Sequence, residues 1–114
     1  MDNATGGAGV RRFARHRIDV RLKVSFRDEG KPVSVFGRAN VLGQGGLGAF
    51  IPYNMPIGTQ VTLEISFPYS PAELTIEAIV RNSLGFRYGL EFTRMGEEAR
   101  TAIINNCKAA AVLE

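Results

Sequence analysis

Eight consecutive positions, Val10-Arg11-Arg12-Phe13-Ala14-Arg15-His16-Arg17, hold four arginines and the only histidine of the chain. Three chemistries compete for such a segment: a solvated basic tail, a non-specific phosphate binder, or a fork shaped for one anion. Arg11 and Arg15 are four apart, with Arg12 beside the first. In a turn or a short helical segment, 11 and 15 project on one side. Two guanidinium groups so placed bind phosphate oxygens in bidentate fashion. Each also matches the O6 and N7 edge of a guanine, or stacks on a base plane. Phe13 is apolar and suited to anchor the segment. The cluster abuts a strand pattern with no Gly or Ser linker between, which argues against a free tail.

The remaining reactive side chains support binding better than catalysis. His16 lies between Arg15 and Arg17, whose charges disfavour its protonated form, so it is a poor general base. One histidine and one cysteine, Cys107, do not make a histidine metal centre, a cysteine-rich zinc site, a Ser-His-Asp triad or an intrachain disulfide. Glu64, Glu77 and Glu91 fall on outward positions of strand patterns, where solubility and cross-strand pairing account for them. "GQGGLG" (43–48) lacks the Lys-Ser/Thr that a mononucleotide loop requires, and there is no GxSxG elbow. The chain reads as a non-enzyme.

The net charge of +3 hides an asymmetry. Residues 1–27 hold seven Arg or Lys against Asp2 and Asp19, whereas residues 28–114 hold seven against nine acids. The excess is local, which points to a site rather than to general nucleic-acid affinity. No aromatic platform interleaves the basic residues, a further argument against single-stranded nucleic acid. No apolar run approaches the roughly 18 residues of a membrane span, and "MDNATGGAG" is neither basic nor apolar, so the expected location is cytoplasmic.

The elements that must position the arginines follow from periodicity. Residues 1–10 are small, Gly-rich and polar, and are expected to be a flexible segment ahead of one domain over 11–114. "RIDVRLKVSFR" (17–27) alternates with apolar residues at 18, 20, 22, 24 and 26, the period of a strand with one wet face. "DEGKP" turns the chain, and 33–41 and 47–52 read as strands about the Gly-rich "LGQGG". Three more period-two runs cover 59–67, 74–80 and 86–92, with "RNSLG" as a turn before the last. The period then lengthens in "GEEARTAIINNCKAAAVL", where Ala99, Ile103 and Cys107 share one face. The acids at 97 and 98 and Lys108 suit the dipole of a C-terminal helix, on whose apolar stripe Cys107 is a buried thiol. The fold class is all-β: a six-stranded antiparallel β-barrel with a C-terminal α-helix.

The order of these parts resembles a known family. "RRFAR", then "GRANVLGQGGLGAFIP", "LEISFPYS", "IEAIVRNSLGFRYGLEF" and a helix are similar to a PilZ domain, the bacterial module that binds cyclic di-GMP. The resemblance covers about residues 11–110. It implies that Arg11, Arg12 and Arg15, as the RxxxR pair with its neighbour, clasp the phosphates and guanine edges of the dinucleotide. Of the D/NxSxxG loop, aligned without a gap over Val41-Leu42-Gly43-Gln44-Gly45-Gly46, only the final glycine, Gly46, is retained. Val41 and Gly43 replace the amide and the hydroxyl. Asn40 can stand in for the amide only if the loop carries an extra residue. Gln44 offers another amide, and Gly43 permits close approach. Each missing hydrogen bond costs about 0.5–1.5 kcal/mol of affinity.

Two readings follow from the resemblance. In the first, the chain is a receptor whose N-terminal segment reorganises on binding cyclic di-GMP, with no other cofactor and no metal, and signals to a downstream protein. In the second, it has lost the dinucleotide and acts as a protein-interaction module.

Overall fold

The alternation of residues 20 to 26 buries Val20, Leu22, Val24 and Phe26 and leaves the intervening polar side chains facing outward. Each of these apolar side chains contributes about 1.5–3 kcal/mol when fully buried. In a computed structural model that describes residues 14–68, 72–109 and the backbone of 112–113, this run is β1 (Arg15–Asp28). A two-residue turn, Glu29-Gly30, follows with φ of 51° and 82°. Positive φ at both central positions matches the right-handed twist of the paired strands, and glycine takes it without strain. The turn leads into β2 (Lys31–Leu42), antiparallel to β1.

Four further strands complete the sheet: β3 (Gly46–Phe50), β4 (Gln60–Ser66), β5 (Glu73–Leu84) and β6 (Arg87–Arg94). Their order is β2-β3-β6-β5-β4-β1, and the β1–β2 ladder closes it into an antiparallel barrel. The expected six-stranded architecture is therefore observed. Leu42, Ile51, Leu63, Ile65, Ile76 and Val80 fill the interior.

The helix α1 (Glu97–Ala109) starts at Gly96, whose carbonyl accepts from Arg100 N–H at 3.1 Å. Ala99, Ala102, Ile103, Asn106 and Cys107 form its buried face, packed on β5. Asn106 Nδ2 donates to the Ala102 carbonyl at 2.8 Å, which satisfies a polar group in that face.

Two boundaries differ from the sequence reading. Residues 81–84 are strand rather than turn, because β5 stays paired with β6 as far as Leu84↔Arg87, and only Gly85-Phe86 make the turn. The helix does not reach 113. Val112–Leu113 form a short strand, β7, against Arg15 and His16. The backbone beyond α1 thus pairs with the first residues of β1, a long-range pairing that helical periodicity does not reveal.

Candidate functional site

A groove of about 750 Å³ crosses the outer face of β2, β3, β6 and β5, beside the start of β1. Its volume lies in the range of small-molecule sites. Arg15, Asn40, Val41, Gly43 and Gly46 line one side; Asn82, Arg87, Gly89 and Glu91 line the other.

The residues expected at the site are distributed as follows. Arg15 opens β1 as a strand residue, not as part of a turn or helix, and it lines the groove half-buried. Arg11, Arg12 and Phe13 lie outside the described residues. Gly43 is buried, and a β-carbon there would stand 3.3 Å from the Ala14 carbonyl oxygen. The loop between β2 and β3 thus abuts the start of the arginine-bearing strand. Gly43 N–H donates to the Gly46 carbonyl, and Phe92 N–H to the Gly45 carbonyl, each at 2.9 Å. Gly46 has a packing cause: a β-carbon would collide with the Leu90 carbonyl of β6. Gln44 is exposed and does not line the groove.

Asn40 sits at an irregularity. Ala39 pairs with Ala49 and Val41 with Gly48, so β2 spends one residue more than β3 at this step. This is a β-bulge, which re-aims side chains. Asn40 and Val41 both line the groove as a result. The bulge brings the Asn40 amide to the groove beside Val41.

A second bulge lies across the groove. Val80 pairs with Leu90 and Asn82 with Gly89, leaving Arg81 as the extra residue of β5. Arg81 Nε donates to Glu91 Oε1, so that charge is neutralised within the wall. Asn82, Arg87 and Gly89 are groove residues that the sequence does not single out: 81–85 reads as a turn, and the strand pattern of 86–92 does not reveal which strands flank it. Asn82 is brought onto Gly89 only by strand register, a non-local quantity.

Other charges are accounted for by pairing. Arg38 Nε donates to Asp19 Oδ1 at 2.6 Å; this bond, with the Arg38 charge, holds the Asp19 carboxyl below the usual carboxylate range. Glu64 faces Lys23, and Glu77 faces Arg94, in strand register. His16 is half-buried, with Nδ1 enclosed and without a hydrogen-bond partner among the described residues. Burial pushes the Cys107 thiol up. Among the described residues, no group of three or more His, Cys, Asp or Glu could hold a metal ion, and no helix is long and apolar enough to cross a membrane.

A family model described as "PilZ domain" matches residues 10–109. No curated protein matches the sequence. Three solved structures are similar in fold. The Bacillus subtilis inhibitor of motility (MotI/DgrA) superposes with a TM-score of 0.69 at 14% identity, over 88% of this chain and 50% of that one. This chain therefore spans half the length of that protein. The PilZ domain of CeSA from a cellulose-synthesizing bacterium gives 0.63 at 18% identity, over 83% of this chain and 95% of that one. The PilZ domain of YcgR from Escherichia coli, solved with cyclic di-GMP, gives 0.67 at 12% identity, over 88% and 90%. The chain belongs to the PilZ domain family.

Proposed function

We propose that this PilZ domain is a cyclic di-GMP receptor that passes ligand occupancy to a partner protein. Its role is binding, not catalysis. One observation carries the reading: Arg15, distant in sequence, lines the same groove as Asn40, Gly43 and Gly46. Arg15 makes no hydrogen bond or ion pair among the described residues, so its guanidinium is available to a phosphate. The Asn40 amide restores a polar partner that Val41 cannot supply. A PilZ domain solved with cyclic di-GMP shares the fold. The ligand draws residues 10–17 onto the groove. Because Arg15 and His16 also pair with β7, that rearrangement reaches the end of α1.

The partner-binding half of the proposal rests on a second observation. Arg21, Arg38, Phe50, Arg87 and Leu84 are in register across β1, β2, β3, β6 and β5, and all are exposed. Phe86 packs edge-on to Phe50 at 6.1 Å, and Arg21 lies over the Phe36 ring at 4.2 Å. Phe36, Phe50, Leu84 and Phe86 are between 41% and 80% exposed. Exposed aromatic and arginine residues in one strip are the composition of protein interfaces. The same strip supports the alternative reading, an interaction module without ligand.

Isothermal titration with cyclic di-GMP separates the two. The receptor reading requires saturable binding that Arg15→Ala weakens by about 10- to 100-fold. Absence of heat at millimolar ligand overturns it and leaves the strip as the functional surface.

A further inference from the structure

One rung of the barrel crosses five strands as Arg21, Arg38, Phe50, Arg87 and Leu84, all exposed. Residues opposed in an antiparallel ladder share a face of the sheet, so these side chains stand together on the outside of the barrel. At about 4.8 Å between strands, the backbones at Arg21 and Arg87 are roughly 14 Å apart, with Arg38 and Phe50 between them. The row holds three arginines and no acid.

The arginines are not equivalent. Arg38 Nε donates to Asp19 Oδ1, and on the groove wall Arg81 Nε donates to Glu91 Oε1. Carboxylates thus satisfy two arginines of the outer sheet face. Arg21 and Arg87 have no hydrogen bond or ion pair among the described residues. Arg21 is nonetheless held in place, with its guanidinium 4.2 Å over the Phe36 ring. Stacking occupies the flat face of a guanidinium and leaves its N–H edge free, and that edge matches a carboxylate in bidentate fashion. Phe50 and Phe86 form an edge-to-face pair that is 46% and 41% exposed. Two cations without an acid among the described residues therefore flank an exposed aromatic.

We propose that this row docks an acidic segment of a partner protein, with carboxylates on either side of an apolar side chain. The inference rests on the partner-binding reading and gives that partner its chemistry. In an extended segment, residues i, i+2 and i+4 share one face over about 13 Å. Acid, apolar and acid at those positions meet Arg21, Phe50 and Arg87 together. Other occupants fit less well. A second copy set on the row by a two-fold axis brings arginine against arginine. A lipid surface requires aromatic faces free to enter hydrocarbon, whereas Arg21 covers the face of Phe36.

The test is selection of random displayed peptides on the full chain, with and without cyclic di-GMP. Fluorescence anisotropy of the enriched peptides on wild type, Arg21→Glu and Phe50→Ser follows, and thermal melting verifies each fold. Enriched peptides are expected to carry Asp or Glu on both sides of Leu, Ile or Phe. Each variant is expected to weaken them about tenfold or more, and exchange of one acid for Lys in the peptide restores binding to Arg21→Glu. Peptides without acids that lose affinity for Phe50→Ser but not for Arg21→Glu overturn the acidic partner and leave the strip as a docking surface. Peptides indifferent to both variants overturn the strip as well. In place of acidic peptides, wild-type binding to phosphatidylglycerol vesicles, or a wild-type dimer in sedimentation, that Phe50→Ser abolishes overturns the inference in favour of a membrane or a second copy.

Discussion

The carbonyl oxygen of Ala14 lies against Gly43: a β-carbon on that glycine would stand 3.3 Å from it. This approach joins the loop between β2 and β3 to the residue just ahead of Arg15. A side chain at 43 therefore presses on the residue just ahead of Arg15, and Ala14 has to give by a few tenths of an ångström. We predict that Gly43→Val lowers affinity for cyclic di-GMP by about tenfold or more through displacement of Arg15. The fold tolerates it, because Gly43 does not have positive φ. Titration alongside thermal melting checks both halves; an unchanged affinity would show that Ala14 and Gly43 move independently.

Gly46 is constrained differently. A methyl group there meets the Leu90 carbonyl of the neighbouring strand, and backbone cannot step aside cheaply. Gly46→Ala is expected to destabilise the barrel by about 1–3 kcal/mol. The melting temperature should fall by roughly 5 °C or more. Retention of the wild-type melting point would mean that β3 and β6 are less closely apposed than described.

Tyr88 fixes the groove from beneath. Its buried hydroxyl accepts from Met55 N–H at 2.9 Å and donates to the Tyr53 carbonyl at 2.7 Å. Tyr88→Phe leaves the Met55 N–H without that partner, at a cost of about 1–3 kcal/mol. Urea denaturation should register the loss. Ligand affinity should stay within about twofold, since the ring itself remains in place.

Cys107 supplies a pH dependence. Burial raises the pKa of its thiol above the ordinary value of about 8.5. The fold therefore holds this proton more tightly than the unfolded chain. The associated stability is fully present below the unfolded pKa and is lost as pH rises through the folded one. Wild type should lose more stability than Cys107→Ala as pH rises from about 8 to 10. Alkylation of native Cys107 should be slow and should accelerate on unfolding. Rapid alkylation of the native protein would contradict its burial on α1.

Most of the architecture follows from short-range pattern. Alternation over 18–26, 61–67 and 74–80 can bury its apolar half only as strands, and Ala99, Ile103 and Cys107 share a face only at helical period. The arginine segment was conspicuous by charge, and Arg15 does line the groove. Residues 81–84 were less legible, because a polar stretch with a glycine suggests a turn wherever the pairing strand is unknown. By itself, the sequence determined the strand and helix periods and the placement of a basic segment ahead of β1. Tertiary structure alone decided that Asn40 and Arg81 are bulge residues, that Asn82 lies over Gly89, that β7 pairs with the start of β1, and that Arg87 has no partner among the described residues. Each of these depends on register between strands distant in the chain, and register is set by how the whole barrel closes, not by any local run of residues.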